Sequence, residues 1–146
     1  ASIVTATSAQ APLLKAAWID KSAGVFYSHI GGWEDEYENV LQADKIVCDS
    51  WHVVKHRTQT VSRCYKDGLI TDEAIYADLV DIVSGRKCGR ENDREYIYFN
   101  AVGLSYIDIM LAYTMFKKCE QAGVGTLLPM QEKQIFEHDL AGKLVL

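Results

Sequence analysis

Tyr96-Ile-Tyr-Phe-Asn-Ala-Val-Gly-Leu-Ser-Tyr-Ile-Asp108 is the stretch on which the fold turns. A polar, charged run ends at Glu95, and an apolar β-prone run follows from Tyr96 to Val102. Gly103 interrupts it directly before a helical pattern that carries one carboxylate, Asp108. The segment reads as strand, turn and helix. Junctions of this kind place backbone N–H groups at a helix start, where α/β proteins hold anionic or polar ligands, although most are plain connections.

Upstream, three more short apolar runs read as strands: Ser2 to Ala6, Val25 to Ile30, which ends on Gly31-Gly32, and Lys45 to Cys48, which ends at Asp49-Ser50. Helix or loop separates them, which implies parallel pairing through right-handed crossovers and hence half of a doubly wound sheet. The expected helices run from Pro12 to about Ile19, from Glu34 to Ala43, and from Trp51 to Asp67 with Val54, Thr58, Val61 and Tyr65 on one face. Thr71 caps another, in which Ile75, Leu79, Ile82 and Val83 form an apolar stripe before Gly85. The last helix, Leu104 to about Gln121, is apolar nearly all round and calls for cover on both sides.

The chain has 146 residues, enough for one domain with its own core. Its 49% hydrophobic and 24% charged residues exclude disorder, and a net charge of -5 argues against nucleic acid as partner. Cys48, Cys64, Cys88 and Cys119 are irregularly spaced, with no Cys-x-x-Cys pair, so reduced thiols and a cytoplasmic location are expected. The apolar part of the last helix, broken by Asp108, is too short for the roughly 20 residues of a membrane span. The first residues lack a signal peptide's basic start, and the chain opens without Met inside an apparent strand; a piece of something longer is expected.

In an open parallel sheet, ligands lie beyond the carboxyl ends of the strands. That edge gathers Thr5 to Ser8, His29 to Trp33, Asp49, Ser50 and Asn100 to Gly103, a set of hydroxyls, glycines and amides suited to a ribose or carboxamide. Gly31 and Gly32 allow close approach of a ligand to the backbone. His29, beside them, is the histidine placed for acid or base work, with local hydrogen bonding as the plainer reading. His52 and His56 stand four apart but lack the Glu of His-Glu-x-x-His, so a solvated helix face is expected and no metal site. Asp108, in an apolar helix, is expected to be buried with a donor or to touch a ligand. A Gly-x-Gly-x-x-Gly turn for pyrophosphate is absent, and Gly-Val-Gly at 123 to 125 follows a helix, the wrong context.

Six blocks in order carry a resemblance: Thr-Ala-Thr-Ser at 5 to 8, His-Ile-Gly-Gly at 29 to 32, Ala-Asp-Lys-Ile-Val-Cys-Asp at 43 to 49, Asp-Gly-Leu-Ile at 67 to 70, Ile-Val-Ser-Gly-Arg-Lys-Cys-Gly-Arg-Glu-Asn-Asp at 82 to 93, and Phe-Asn-Ala-Val-Gly-Leu at 99 to 104. Over residues 2 to 126 the chain resembles the ornithine cyclodeaminase/mu-crystallin family, which includes an archaeal type of alanine dehydrogenase. The resemblance implies α/β architecture, the later half of a Rossmann-type doubly wound sheet in three αβα layers with added helices. It implies a bilobed, usually dimeric protein that binds NAD or NADP and an amino or imino acid. Residues 1 to 103 would be the later part of the cofactor lobe, its glycine-rich half preceding Ala1. Residues 104 to 146 would be a connecting helix and tail returning toward a substrate and dimerisation lobe.

Thr5, Ala6 and Thr7 match the family's cofactor-lining turn, Val102, Gly103 and Leu104 match the turn at the nicotinamide, and Asp108 matches its helix carboxylate. Two positions depart from the pattern. Trp33 stands where the family commonly has a catalytic Asp after two small residues, and Ala101 replaces a Ser before Val-Gly. Asp35 is the nearby carboxylate that could fill the vacancy, which makes Asp35 and His29 the catalytic candidates. Cyclodeamination does not follow, and a different amino or imino acid is expected as substrate. The alternatives are a non-catalytic NAD(P)-binding relative of the mu-crystallin type and an inactive domain fragment.

Overall fold

The computed structural model describes residues 1–128. The chain divides into two units, Ala1–Leu104 and Ser105–Leu146. The first is a five-stranded sheet of β1 (Ser2–Thr5), β2 (Val25–His29), β3 (Lys45–Cys48), β4 (Ile75–Asp78) and β5 (Tyr96–Asn100), in the order β1-β2-β5-β3-β4, with every neighbouring pair parallel. The central strands β2, β5 and β3 are buried along nearly their whole length and therefore read as continuous apolar runs.

Parallel register aligns side chains in rows. Tyr27 lies beside Tyr98 and Tyr98 beside Ile46, and this face packs under α1 (Tyr37–Leu41), α2 (Trp51–Val54) and α3 (Thr60–Lys66). Val40, Trp51, Val54, Val61 and Cys64 of these helices complete the main core. The opposite face carries Phe26 stacked on Phe99 at 6.2 Å, and Leu79 and Ile82 of α4 (Leu79–Val83) flank a groove of about 280 Å³ there.

Four expected helices are corrected. The stripe Ile75, Leu79, Ile82, Val83 does not belong to one helix: Ile75 to Asp78 form the edge strand β4, and only Leu79–Val83 are helical. Ile75 pairs with Ile46, while Asp78 and Asp81 close a reciprocal capping box that starts α4 afresh. Apolar spacing alone does not separate a strand followed by a helix from one helix.

The expected helix Trp51 to Asp67 is broken between α2 and α3. Side chains of α3 satisfy carbonyls freed by the break: Ser62 Oγ donates to Val54 O at 2.6 Å and Arg63 Nε to Thr58 O at 3.0 Å. The expected helix from Pro12 is reduced to a 3-10 turn at Ala16–Trp18, and Glu34 to Ala43 to the short α1. In the second unit α5 (Ser105–Ala122) is a continuous helix. The tail Met130 to Leu146 lies outside the described residues.

Candidate functional site

One row of polar side chains closes the carboxyl end of the sheet. Thr5 lies beside His29, His29 beside Asn100, Asn100 beside Cys48, and Cys48 beside Asp78. Two residues back, on the same face, the row is Ile3, Tyr27, Tyr98 and Ile46, so this face changes from apolar to polar at one depth across the strands.

At this end of the sheet, three carboxylates hold the turns. Glu34 accepts from Thr5 Oγ1 at 2.7 Å, from the Gly31 N–H at 2.8 Å and from the Thr7 N–H. Asp49 accepts from the N–H groups of Val102 at 2.9 Å, Gly103 at 2.8 Å and Ser50 at 2.8 Å. Asp78 accepts from the Trp51 N–H at 2.7 Å, at the start of α2. The donors that the junction at Gly103 promised to a ligand are thus already engaged.

Two glycines are needed for different reasons. A Cβ on Gly31 would collide with the Thr7 carbonyl oxygen and the Glu34 carboxylate, so space decides there. Gly103 has open space around it but a φ of 85°, so its backbone conformation decides.

Beneath the Thr5–Thr7 turn, His29 Nε2 lies 3.3 Å from Asp35 Oδ1 and 3.8 Å from Glu34 Oε2, all three side chains being fully enclosed. Tyr98 donates its hydroxyl to Asp35 Oδ1 at 3.2 Å, and Thr60 Oγ1 lies 3.4 Å from His29 Nε2. Burial pushes the Asp35 carboxyl up to about 7, against the pull of the Thr60 and Tyr98 hydroxyls, and the Glu34 charge adds to the rise. Burial lowers His29 more strongly than the Glu34 charge raises it. Burial also opposes ionisation of Glu34, but its hydrogen bonds from Thr7, Thr5 and Gly31 outweigh that and hold it below its usual range. Near neutrality Glu34 is ionised, His29 neutral and Asp35 poised to titrate.

The residues expected to bind a cofactor meet at this edge. Ala6, Thr7 and Gly103 are exposed, and Thr5, Gly31, Gly32, Val102 and Leu104 are half-buried. Backbone bonds from Ile30 N to Thr5 O and from Ala101 N to His29 O, both 3.0 Å, tie the three turns together. His29 and Asp35, the catalytic candidates, are in mutual contact but closed to solvent. Asp108 is exposed in the first turn of α5, which corrects the buried alternative of its expectation. His52 and His56 are also exposed. Sequence reasoning missed Glu34, Thr60 and Tyr98 as members of the cluster, and Asp78 because its strand was read as helix. Glu34 carried one signal, an acid just past two glycines at a strand end.

The profile of the ornithine cyclodeaminase/mu-crystallin family matches residues 2–123. The chain belongs to this family. It is 32% identical over 126 residues to the N-((2S)-2-amino-2-carboxyethyl)-L-glutamate dehydrogenase of Staphylococcus aureus, covering 86% of this chain and 37% of that protein. Among solved structures, it is similar to the Thermococcus litoralis Delta(1)-pyrroline-2-carboxylate reductase in complex with NADH and L-proline. That match has a TM-score of 0.79 and 33% identity and covers 87% of this chain and 40% of that one. An archaeal alanine dehydrogenase dimer with bound NAD matches with a TM-score of 0.73 and 26% identity, covering 89% of this chain and 41% of that one. The chain therefore spans about two fifths of the length of these relatives. The parallel sheet is Rossmann-type, like that of these NAD- and NADH-bound neighbours.

Proposed function

We propose that the protein carrying this chain is an NAD(P)-dependent oxidoreductase acting on an amino or imino acid, and that the chain supplies the nicotinamide end of the cofactor site. One observation carries the reading: the turns at 5–7, 31–32 and 102–104 meet at the open end of a sheet that matches an NADH- and L-proline-bound reductase over 87% of this chain. The chemistry of the turns fits that half of the cofactor. They offer hydroxyls, carbonyls and little side-chain bulk to a carboxamide and ribose. Because Glu34 and Asp49 occupy the turn N–H groups, a pyrophosphate would find like charge here instead of donors.

When bound, the cofactor supplies hydride exchange at nicotinamide C4 with the substrate Cα. This chain orients the ring. Asp49 fixes Val102 and Gly103 so that the turn keeps one shape, and Glu34 does the same for Thr5 to Thr7. A cytoplasmic homodimer belongs to the same reading, supported by the free buried thiols of Cys48 and Cys64 and by the dimeric alanine dehydrogenase relative. Deamination by lyase chemistry is its finer alternative. Trp33, in place of the commonly found Asp, favours a second reading in which the protein binds the cofactor without turnover.

NADH fluorescence quenching together with imino-acid-dependent NADH oxidation by the intact protein is the expected result; quenching without oxidation would select the second reading. The 146-residue chain alone is expected to bind NAD(H) weakly or not at all. Micromolar affinity by calorimetry would overturn that expectation.

A further inference from the structure

We propose that Glu34, Asp35 and His29 form a proton-gated brace for the Thr5–Thr7 turn. Glu34 is the positioning residue that holds the turn in its ligand-facing shape, and one proton kept between Asp35 and His29 keeps Glu34 in place. The identity of the ligand rests on the oxidoreductase reading; the brace itself does not.

The geometry is unusual for a buried charge cluster. Two carboxylates adjacent in sequence, both fully enclosed, face one imidazole nitrogen, and among the described residues His29 is the only potentially cationic side chain within ion-pair distance of either. His29 Nδ1 and Asp35 Oδ2 have no hydrogen-bond partner, nor do Asn39 Oδ1 and either amide atom of Asn100, all of them buried. With one proton on the Asp35–His29 pair, the cluster carries a single negative charge, on Glu34. With that proton lost it carries two, in surroundings that screen poorly.

The backbone decides which carboxylate yields. The segment around Asp35 is pinned: Leu13 N and Leu14 N donate to Glu34 O at 2.8 and 2.9 Å, and Glu36 N donates to Leu14 O at 3.2 Å. The bridge fixes the main chain on both sides of Asp35, and the Asp35 carboxyl points inward, enclosed against His29 and the Tyr98 hydroxyl. The Glu34 side chain instead reaches toward the exposed Thr7 turn, so relief comes by releasing Thr7 and Gly31.

The other titratable groups facing the cluster remain in one state near neutrality. On β2 and β5, burial raises the phenols of Tyr27, Tyr96 and Tyr98 above their usual range. On α3, burial pushes the Cys64 thiol up to about 12. The nearest polar side chain of α1, Asn39, is uncharged. His29 is lowered by burial, which leaves Asp35, at about 7, as the group whose proton changes.

The test uses the intact protein, with NADH as probe, and compares wild type with Asp35→Asn and Glu34→Gln. Wild-type affinity is expected to fall by roughly thirtyfold between about pH 6 and about pH 8.5, as full linkage to one proton with a midpoint of about 7 gives. Asp35→Asn is expected to show a flat profile, and Glu34→Gln weak binding throughout, with KM changed more than kcat. A wild-type pH profile in Asp35→Asn, or wild-type affinity in Glu34→Gln, overturns the brace.

Amide hydrogen exchange of the ligand-free protein, corrected for intrinsic rates, reads the brace without any cofactor. Protection at Thr7 and Gly31 should fall through the same midpoint in wild type, lose its pH dependence in Asp35→Asn and be absent in Glu34→Gln. If NADH binds at no pH, the oxidoreductase reading fails while exchange still decides the brace. If Glu34→Gln does not fold, Thr5→Val, which removes one hydrogen bond to Glu34, takes its place; unchanged protection in that variant overturns the proposal.

Discussion

At the amino ends of the strands, Lys45 Nζ lies 2.5 Å from Glu91 and 3.0 Å from Glu95 and also donates to Gly89 O at 2.9 Å. Arg90 there reaches Glu95 O at 2.9 Å and Val25 O at 3.2 Å, clamping the loop onto the sheet. At the carboxyl ends, Glu34 and Asp35 share one neutral imidazole, and several buried polar atoms around them have no partner. One end of the sheet therefore satisfies its charges with opposite charges and the other leaves them in tension. A fold stabilised for its own sake would resemble the amino end throughout, because buried charges and orphaned polar atoms are costly. The difference marks the carboxyl end as the part shaped by something other than stability.

Substitutions at the two ends of the sheet should differ in their effects. Gly31→Ala should have the largest effect. Its Cβ has no room between the Thr7 carbonyl and the Glu34 carboxylate, so a loss of about 3 kcal/mol in chemical denaturation is expected, with loss of NADH binding. A stable variant that still binds would show that the turn has slack.

Asp35→Asn should come next, and its sign depends on pH. The native pKa of Asp35, about 7, lies above its ordinary 3.8, so its contribution to stability is complete below that ordinary value and is lost as pH rises through about 7. Thermal melts of the wild type should decline over that window, while those of Asp35→Asn should not. Above neutrality the variant should be the more stable by about 1 to 2 kcal/mol, less than the full shift implies because the denatured reference and local relaxation absorb part of it.

Lys45→Met tests the opposite end. Its partner Glu91 is open to water, so a loss of only about 1 to 2 kcal/mol is expected, with NADH affinity unchanged. A change in affinity would mean that the two ends of the sheet are coupled. Gly103→Ala should have the smallest effect, about 1 kcal/mol from its positive φ alone, readable as a small drop in Tm.

Much of the carboxyl end was legible beforehand because strand ends are marked locally. Apolar runs stop at Thr5, His29, Cys48 and Asn100, and the rule that ligands gather there collected Thr5 to Thr7, Gly31, Gly32 and Val102 to Gly103 without coordinates. The brace was not legible in the same way. Asp35 and His29 could be named as candidates, but the bonds from Glu34 to Thr5 and Thr7 span 29 and 27 residues, and nothing local pairs them. Asp49 was assigned to the ligand edge, yet its role of capping Val102 and Gly103 depends on β5 lying beside β3.

The residue pattern alone specifies the class of the fold and the place of its open edge. Buried parallel strands have to be short and apolar, and their ends have to turn polar. Contacts between distant segments insert β5 between β2 and β3, add Ile75 to Asp78 as a fifth strand, and bring two carboxylates to one histidine beneath the Thr5–Thr7 turn. Periodicity reports the environment of each residue along its own segment; strand order and the pairing of buried polar groups arise from contacts between distant segments, which leave no local mark.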